Sequence, residues 1–330
     1  MKKVLVIGGT GTMGRYLCPI LAEKGYEVHA IAGEITKDQP GIRYFFANAL
    51  DNEVLKSFLE KRYDAVIDFM WYHDLEVYKS RYQLFLEYTD HYFALSSYRV
   101  YADSDLPITE NSPRLAEALD PEDEWCHSTG YAQSKCGIED LLKASDSNNW
   151  TVLRPTVVYC PGRMPLVAWS KNEVLLRAYA GKKIVIPREA LDKKTSLLWG
   201  EDAAKMIANL LFLPEAKREI YTLGSAETMT WGEILEFYHE TYGLEAELCG
   251  TEEYLDLFCG NDEARRRKMK FMLCYDRLYN RVIDNSKVLK ATGLRQCDIM
   301  PIRKGLVLAS EGILPAACLT MDQILGEKQK

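Results

Sequence analysis

The residues of this chain best suited to chemistry gather around one tyrosine. Tyr131-Ala-Gln-Ser-Lys135 sets a phenol and an ammonium four positions apart, one turn of a helix, so both side chains leave the same face. A lysine held beside a phenol favours the phenolate, and a cationic cofactor ring nearby adds to that effect, which makes the tyrosine a usable proton acceptor. Upstream, Phe93-Ala-Leu-Ser-Ser97 reads as a strand ending in hydroxyls. At the carboxyl edge of a parallel sheet such an end opens on a ligand cleft, where Ser97 can hydrogen-bond a substrate hydroxyl. In a chain with 20 tyrosines the pairing alone means little. A second Tyr-x-x-x-Lys, Tyr179 with Lys183, is interrupted by Gly181 just before an apolar run at 184–186 and reads as surface structure.

A cofactor for such a site is announced at the start of the chain. Val4-Leu-Val-Ile7 runs straight into glycines at 8, 11 and 14. Gly8 permits the tight turn out of the strand, Gly11 lets the backbone approach a pyrophosphate, and Gly14 lets the next helix, near 13–24 and closed by Gly25, pack on the sheet. That helix points unsatisfied N–H groups and its positive dipole end at the phosphates. A dinucleotide is the expected cofactor.

Strand-like runs at 4–7, 27–32, 42–47, 64–70, 91–96, 151–158 and 220–223 alternate with helical stretches near 52–62, 74–89 and 130–144. This is the pattern of an α/β, Rossmann-type doubly wound parallel sheet. The expected division is a dinucleotide-binding domain over 1–160 and a smaller mixed substrate lobe over 161–330, with segments near 196–224 returning to the first domain. In the last third, Thr230-Trp-Gly-Glu233 is a capping box for a helix ending at Gly243, and another helix runs from about 286 to 292 and stops at Gly293. A chain of 330 residues is long enough for this core.

Composition narrows the function classes. A net charge of −7 argues against coating nucleic acid or an anionic membrane. The basic run Arg265 to Lys268 reads as a solvated helix face with no functional role. Nine cysteines without a Cys-x-x-Cys pair suggest neither a metal ribbon nor a disulfide framework, and point to a reducing cytoplasm. Cys126-His127 with Cys136 lacks further ligands at regular spacing, so no metal is expected. The first apolar run is broken by Gly8-Gly9, too early for a signal peptide or membrane span, and no later segment reaches membrane length.

Taken in order, Gly8-x-x-Gly11-x-x-Gly14, Ser96-Ser-x-x-Val-Tyr101, Tyr131-x-x-x-Lys135, Leu153-Arg-Pro-Thr, Thr195-Ser-Leu-Leu-Trp-Gly-Glu-Asp202-Ala, Tyr221-Thr-Leu-Gly224 and Asp284-Asn-Ser-Lys287 resemble the extended short-chain dehydrogenase/reductases, in their NAD-dependent epimerase/dehydratase branch. The likeness covers nearly the whole chain. It implies a catalytic triad of Ser97, Tyr131 and Lys135, a phosphate loop of Gly8, Gly11, Thr12, Met13 and Gly14, further cofactor contacts from Phe69 and Lys135, and Pro155 against the nicotinamide. It also implies a homodimer through the helices near 74–89 and 130–144, and a nucleotide sugar as substrate.

Departures from the pattern bear on cofactor and reaction. Where the second strand commonly ends in a ribose-binding acid, this chain has Ala32-Gly33-Glu34. Glu34 can serve one residue later, and its carboxylate repels a 2′-phosphate, which favours NAD while leaving NADP open. Asn48 stands where an adenine-contacting Asp is usual, and Cys160 replaces the common glycine. Phe69-Met-Trp-Tyr-His73 is bulky and narrows the cleft; His73 reads equally as a ligand contact or a plain loop residue. Arg99, and Arg163 likewise, could meet a substrate phosphate, although a surface ion pair is the commoner role for such a residue.

The implied reaction is hydride transfer from a substrate alcohol, with Tyr131 taking the hydroxyl proton and Ser97 holding the oxygen. Return of the hydride to the other face of the resulting carbonyl gives epimerisation. Dehydration is disfavoured because Tyr98-Arg99 follows Ser97 where dehydratases carry Asp-Glu. A reductase or dehydrogenase of another carbonyl or alcohol substrate is the first alternative. A non-catalytic nucleotide- or RNA-binding relative is the second, opposed by the acidic charge and by the retained triad spacing.

Overall fold

The strand at Lys3–Ile7 is buried along almost its whole length because both faces of its sheet are covered by helices, as in parallel sheets generally. The computed structural model describes residues 1–313. The main sheet contains β1 (Lys3–Ile7), β2 (Glu27–Ala32), β3 (Ile42–Phe46), β4 (Ala65–Asp68), β5 (Tyr92–Leu95), β6 (Trp150–Pro155) and an edge strand at Glu219–Leu223. Its order is Glu219–Leu223, β6, β5, β4, β1, β2, β3, with every pairing parallel. The chain moves outward from β1 through β2 to β3, then crosses to β4 on the other side. That reversal opens a crevice at the carboxyl ends of β1 and β4, where open α/β sheets bind ligands. The Phe69 N–H donates to the Ile7 carbonyl (3.1 Å), joining the two strand ends.

The run at 151–158 is two strands rather than one. The Thr156 N–H donates to the Leu223 carbonyl (2.9 Å), and Val157–Tyr159 then leaves the main sheet to pair with Leu197–Trp199. The stretch 74–89 is likewise divided, into Leu75–Lys79 and Tyr82–Tyr88. Arg81, between them, has an extended φ of −134°, and its buried guanidinium donates to the carbonyls of Ala49 (2.7 Å), Leu50 and Val77 (3.1 Å). The helix expected over 52–62 ends earlier, spanning Asn52–Leu59.

The helix Gly200–Leu210 packs against α1 (Gly14–Glu23). A Cβ at Gly200 would lie 2.8 Å from the Thr12 carbonyl oxygen, so the two helices meet directly behind the phosphate-loop sequence. Around the second core, which includes Trp231, Tyr238 and Tyr254, the helix Trp231–Tyr242 carries the expected capping box. Thr230 Oγ1 accepts from the Glu233 N–H (3.1 Å), Glu233 Oε2 accepts from the Thr230 N–H (2.7 Å), and Gly243 closes the helix at φ +70°. Ser286–Thr292 ends at Gly293, also at positive φ. This region further holds the helices Thr251–Cys259, Glu263–Met272 and Ile302–Ser310. No helix among the described residues is long and apolar enough to cross a membrane.

Candidate active site

The helix Tyr131–Ala144 crosses behind the end of β5 and presents Lys135 from its buried face. Lys135 Nζ donates to the Leu95 carbonyl (2.5 Å) and lies 5.6 Å from the centre of the Tyr131 ring. Burial pushes the Lys135 ammonium down to about 8, against the opposing pull of Asp68 and Glu139. The two serines at the end of β5 face different ways. Ser97 lines the cleft, and its Oγ accepts from the Arg99 N–H (3.2 Å). Ser96 donates inward to Glu139 Oε1 (2.5 Å).

Glu139 is fully buried and is the hub of the layer under the site. Arg154 reaches it with Nε (2.8 Å) and Nη2 (2.6 Å), and Arg114 Nη1 adds a longer contact at 3.5 Å. Burial would lower the Arg154 guanidinium, but the paired hydrogen bonds to Glu139 outweigh it and hold it above its ordinary value.

Asp68, at the end of β4, organises the loop beside Tyr131. It accepts from the hydroxyls of Tyr72 (2.6 Å) and Tyr92 (3.1 Å) and from the Met70 N–H (3.0 Å). Burial raises its carboxyl above the usual range even so. Because Tyr72 is turned inward, Trp71 and His73 on either side of it turn into the cleft. Ser134 Oγ donates to the Tyr72 carbonyl (2.8 Å), tying this loop to the Tyr131 helix. Trp71 then meets Tyr131 edge to face (5.7 Å) and lies against the His73 ring (3.8 Å).

Gly8, Gly11, Thr12, Met13 and Gly14 line the same cleft, of about 980 Å³, together with Phe69, Ser97, Tyr131 and Pro155. Gly8 has φ +83°. A Cβ at Gly14 would fall 2.4 Å from the Gly8 carbonyl oxygen, so α1 can begin this close to the turn only with glycine there. No side chain caps the start of α1, leaving its first N–H groups for a ligand. The Thr156 hydroxyl, also on the cleft wall, is buried without a hydrogen-bond partner among the described residues. This cradle fits a dinucleotide pyrophosphate.

Not every candidate joins the cleft lining. Lys135 lies buried behind it, and Glu34 and Asn48 are exposed beyond the ends of β2 and β3, Asn48 Oδ1 accepting from the Leu50 N–H (3.1 Å). Gly9 was a missed contributor: its Cβ would sit 2.6 Å from that of Ala30. Among the described residues no group of three His, Cys, Asp or Glu side chains could hold a metal ion.

The basic run forms the solvated face expected of it, with Arg265, Arg267 and Lys268 all exposed, whereas the reading of Arg99 requires correction. That same solvated face also lines the cleft, because the helix Glu263–Met272 lies over its mouth, with Lys268 Nζ 5.2 Å from the Trp71 ring centre. Arg99 is no surface ion-pair residue. Its Nε pairs with the buried Asp276 (3.1 Å), and its guanidinium stands 5.1 Å from the Tyr131 ring centre. Arg277 (2.6 Å) and Arg281 (3.4 Å) pair with the same carboxylate. Burial would raise the Asp276 carboxyl, but Arg277, Arg99 and Arg281 outweigh it and hold it below the usual range. Arg163 Nη1 donates to Thr12 Oγ1 (3.2 Å), at the glycine turn. The cleft thus exposes six cationic residues, Arg99, Arg163, Arg265, Arg267, Lys268 and Arg277, and no carboxylate among the described residues.

Fold and site together define a Rossmann-like α/β protein with a Ser-Tyr-Lys cluster at its crevice. The chain belongs to the NAD dependent epimerase/dehydratase family, whose pattern matches residues 4–224. It is 28% identical over 251 residues to the chloroplast stem-loop binding protein of 41 kDa b of Arabidopsis thaliana, covering 70% of this chain and 60% of that one. The spore coat polysaccharide biosynthesis protein SpsK of Bacillus subtilis is 27% identical over 263 residues, covering 77% of this chain and 85% of that one. Among solved structures, UDP-glucuronic acid 4-epimerase from Bacillus cereus, in complex with UDP-glucuronic acid and NAD, superposes with a TM-score of 0.68. It is 16% identical and covers 93% of this chain and 97% of that one, a likeness of fold.

Proposed function

We propose that this protein is an NAD-dependent enzyme of the epimerase type, acting by hydride transfer on a nucleotide sugar with Tyr131 as acid and base. The observation that carries this reading is the convergence of Ser97 and Tyr131, with Lys135 behind them, on the cleft that the glycine turn also lines. Gly8, Gly11, Thr12, Met13 and Gly14 would hold the pyrophosphate, with Phe69, Thr156 and Pro155 nearer the nicotinamide and Glu34 and Asn48 on the adenosine side. When bound, the cofactor supplies a reversible hydride acceptor.

Tyr131 takes the proton of the substrate hydroxyl and later returns it, while Ser97 holds the same oxygen. Lys135, anchored on the Leu95 carbonyl, keeps positive charge behind the phenol. Trp71, His73 and the helix Glu263–Met272 narrow the cleft mouth and limit water entry. For epimerisation, the carbonyl product must turn over within the cleft before the hydride returns. The likeness to SpsK and to the B. cereus enzyme supports sugar chemistry, and the family supports NAD.

The test is to purify the protein, record nicotinamide absorbance and fluorescence, and then add a panel of nucleotide sugars. Retained NAD that is reduced only transiently, with an epimeric product, is the expected result. Steady consumption of added NADPH would instead establish a reductase. Failure to bind any nicotinamide, with salt-dependent binding of an RNA stem-loop, would turn the reading toward a nucleic-acid-binding relative.

A further inference from the structure

Arg99 occupies an unusual position: it is fixed on one side and open on the other. Its Nε lies 3.1 Å from a carboxylate oxygen of the buried Asp276, an ion pair short of hydrogen-bond geometry, while its two terminal nitrogens have no protein hydrogen-bond partner among the described residues and the side chain lines the cleft. Because Arg277 and Arg281 share the same carboxylate, this cluster of three guanidiniums and one acid carries surplus positive charge. The surplus stands at the reacting end of the cleft, 5.1 Å from the centre of the Tyr131 ring. Arg163 at the glycine turn and Arg265 and Lys268 at the mouth are placed elsewhere and suit phosphates.

Resting on the nucleotide-sugar reading above, we propose that Arg99 is the anion clamp of the sugar subsite and that the substrate is a nucleotide-linked sugar acid, its carboxylate borne by the ring carbon next to the one whose hydroxyl Tyr131 deprotonates. A planar guanidinium drawn toward Asp276 on its Nε side presents its terminal N–H groups to the cleft as a fork for a carboxylate. A neutral sugar leaves that fork desolvated and unpaired, which disfavours its binding. The likeness to an enzyme of UDP-glucuronic acid shows the fold and leaves the choice between neutral and acidic sugars open; the free face of Arg99 makes that choice.

The experiment compares UDP-glucuronic acid with UDP-glucose on the NAD-loaded protein, measuring both equilibrium binding and turnover. The acid is expected to bind about 30-fold more tightly, the scale of one charge-assisted contact. Arg99→Met should collapse the acid-to-neutral ratio toward unity, and Arg99→Lys should restore part of it. Equal or tighter binding of UDP-glucose by the unmodified protein overturns the proposal without recourse to any variant. So does a ratio unchanged in a folded, NAD-binding Arg99→Met protein. Preferential binding of the acid without turnover keeps the clamp and removes the hydride-transfer reading; binding of neither sugar removes both.

Discussion

Below the cleft floor, Arg154 and Glu139 meet through two short hydrogen bonds at almost complete burial. On the cleft wall, Arg163, Arg265 and Lys268 have no carboxylate within 4.0 Å among the described residues. The two layers treat charge differently. A buried ion must be matched inside the protein, since desolvation otherwise costs several kcal/mol, so the lower layer fixes geometry. Cations facing solvent in a concave wall keep their hydration until a ligand arrives, so the upper layer is free to recognise one. In an acidic chain, a cleft lined by cations and by no carboxylate among the described residues suits an anion.

The largest effect expected from perturbing either layer is on turnover. Tyr131→Phe removes the proposed proton carrier and should lower kcat about 10³-fold, with NAD affinity, followed by fluorescence titration, nearly unchanged. In the lower layer, Glu139→Leu strands Arg154 and should destabilise the fold by about 3–5 kcal/mol in denaturant titrations; an equally large loss from charge removal on the wall would erase the contrast.

Lys135 links the two layers through pH. With its ammonium pushed down to about 8, kcat should fall above that pH, and Lys135→Arg should carry activity to higher pH. The stability effect runs the other way. The folded protein binds fewer protons than the unfolded chain between about 8 and the ordinary lysine value of ~10.4, so this group's contribution to stability rises with pH through that window. Comparing denaturation midpoints with those of Lys135→Met across it gives the check. The smallest effect is at the mouth: Lys268→Gln should raise KM for a diphosphate-bearing substrate about threefold and flatten its salt dependence, as for a screened surface charge.

The sheet and the cluster Ser97, Tyr131 and Lys135 were readable because their signals are local: glycines at fixed spacing, a strand ending in serines, and a one-turn helical pair. The layer below was not, because Asp68 and Glu139 join the site only through tertiary contacts, Glu139 lying 43 positions from Ser96 and 15 from Arg154. The placement of the basic helix was hidden for a similar reason. Charge density along 263–272 suggests a solvated face, but where that face points depends on how the helix Glu263–Met272 packs beside the cleft. Arg99 shows the same limit, since its partner Asp276 lies far along the chain, in the turn Leu273–Arg277.

Trp71 stands edge-on to Tyr131 and beneath Lys268, with its indole partly open to solvent. An indole so placed is a built-in optical gauge. Its emission would respond to a ligand filling the cleft and, separately, to energy transfer into a reduced nicotinamide, so a stopped-flow trace of the unlabelled protein, read against that of Trp71→Phe because Trp125 and Trp169 line the same cleft, follows the order in which the proposed ligands arrive.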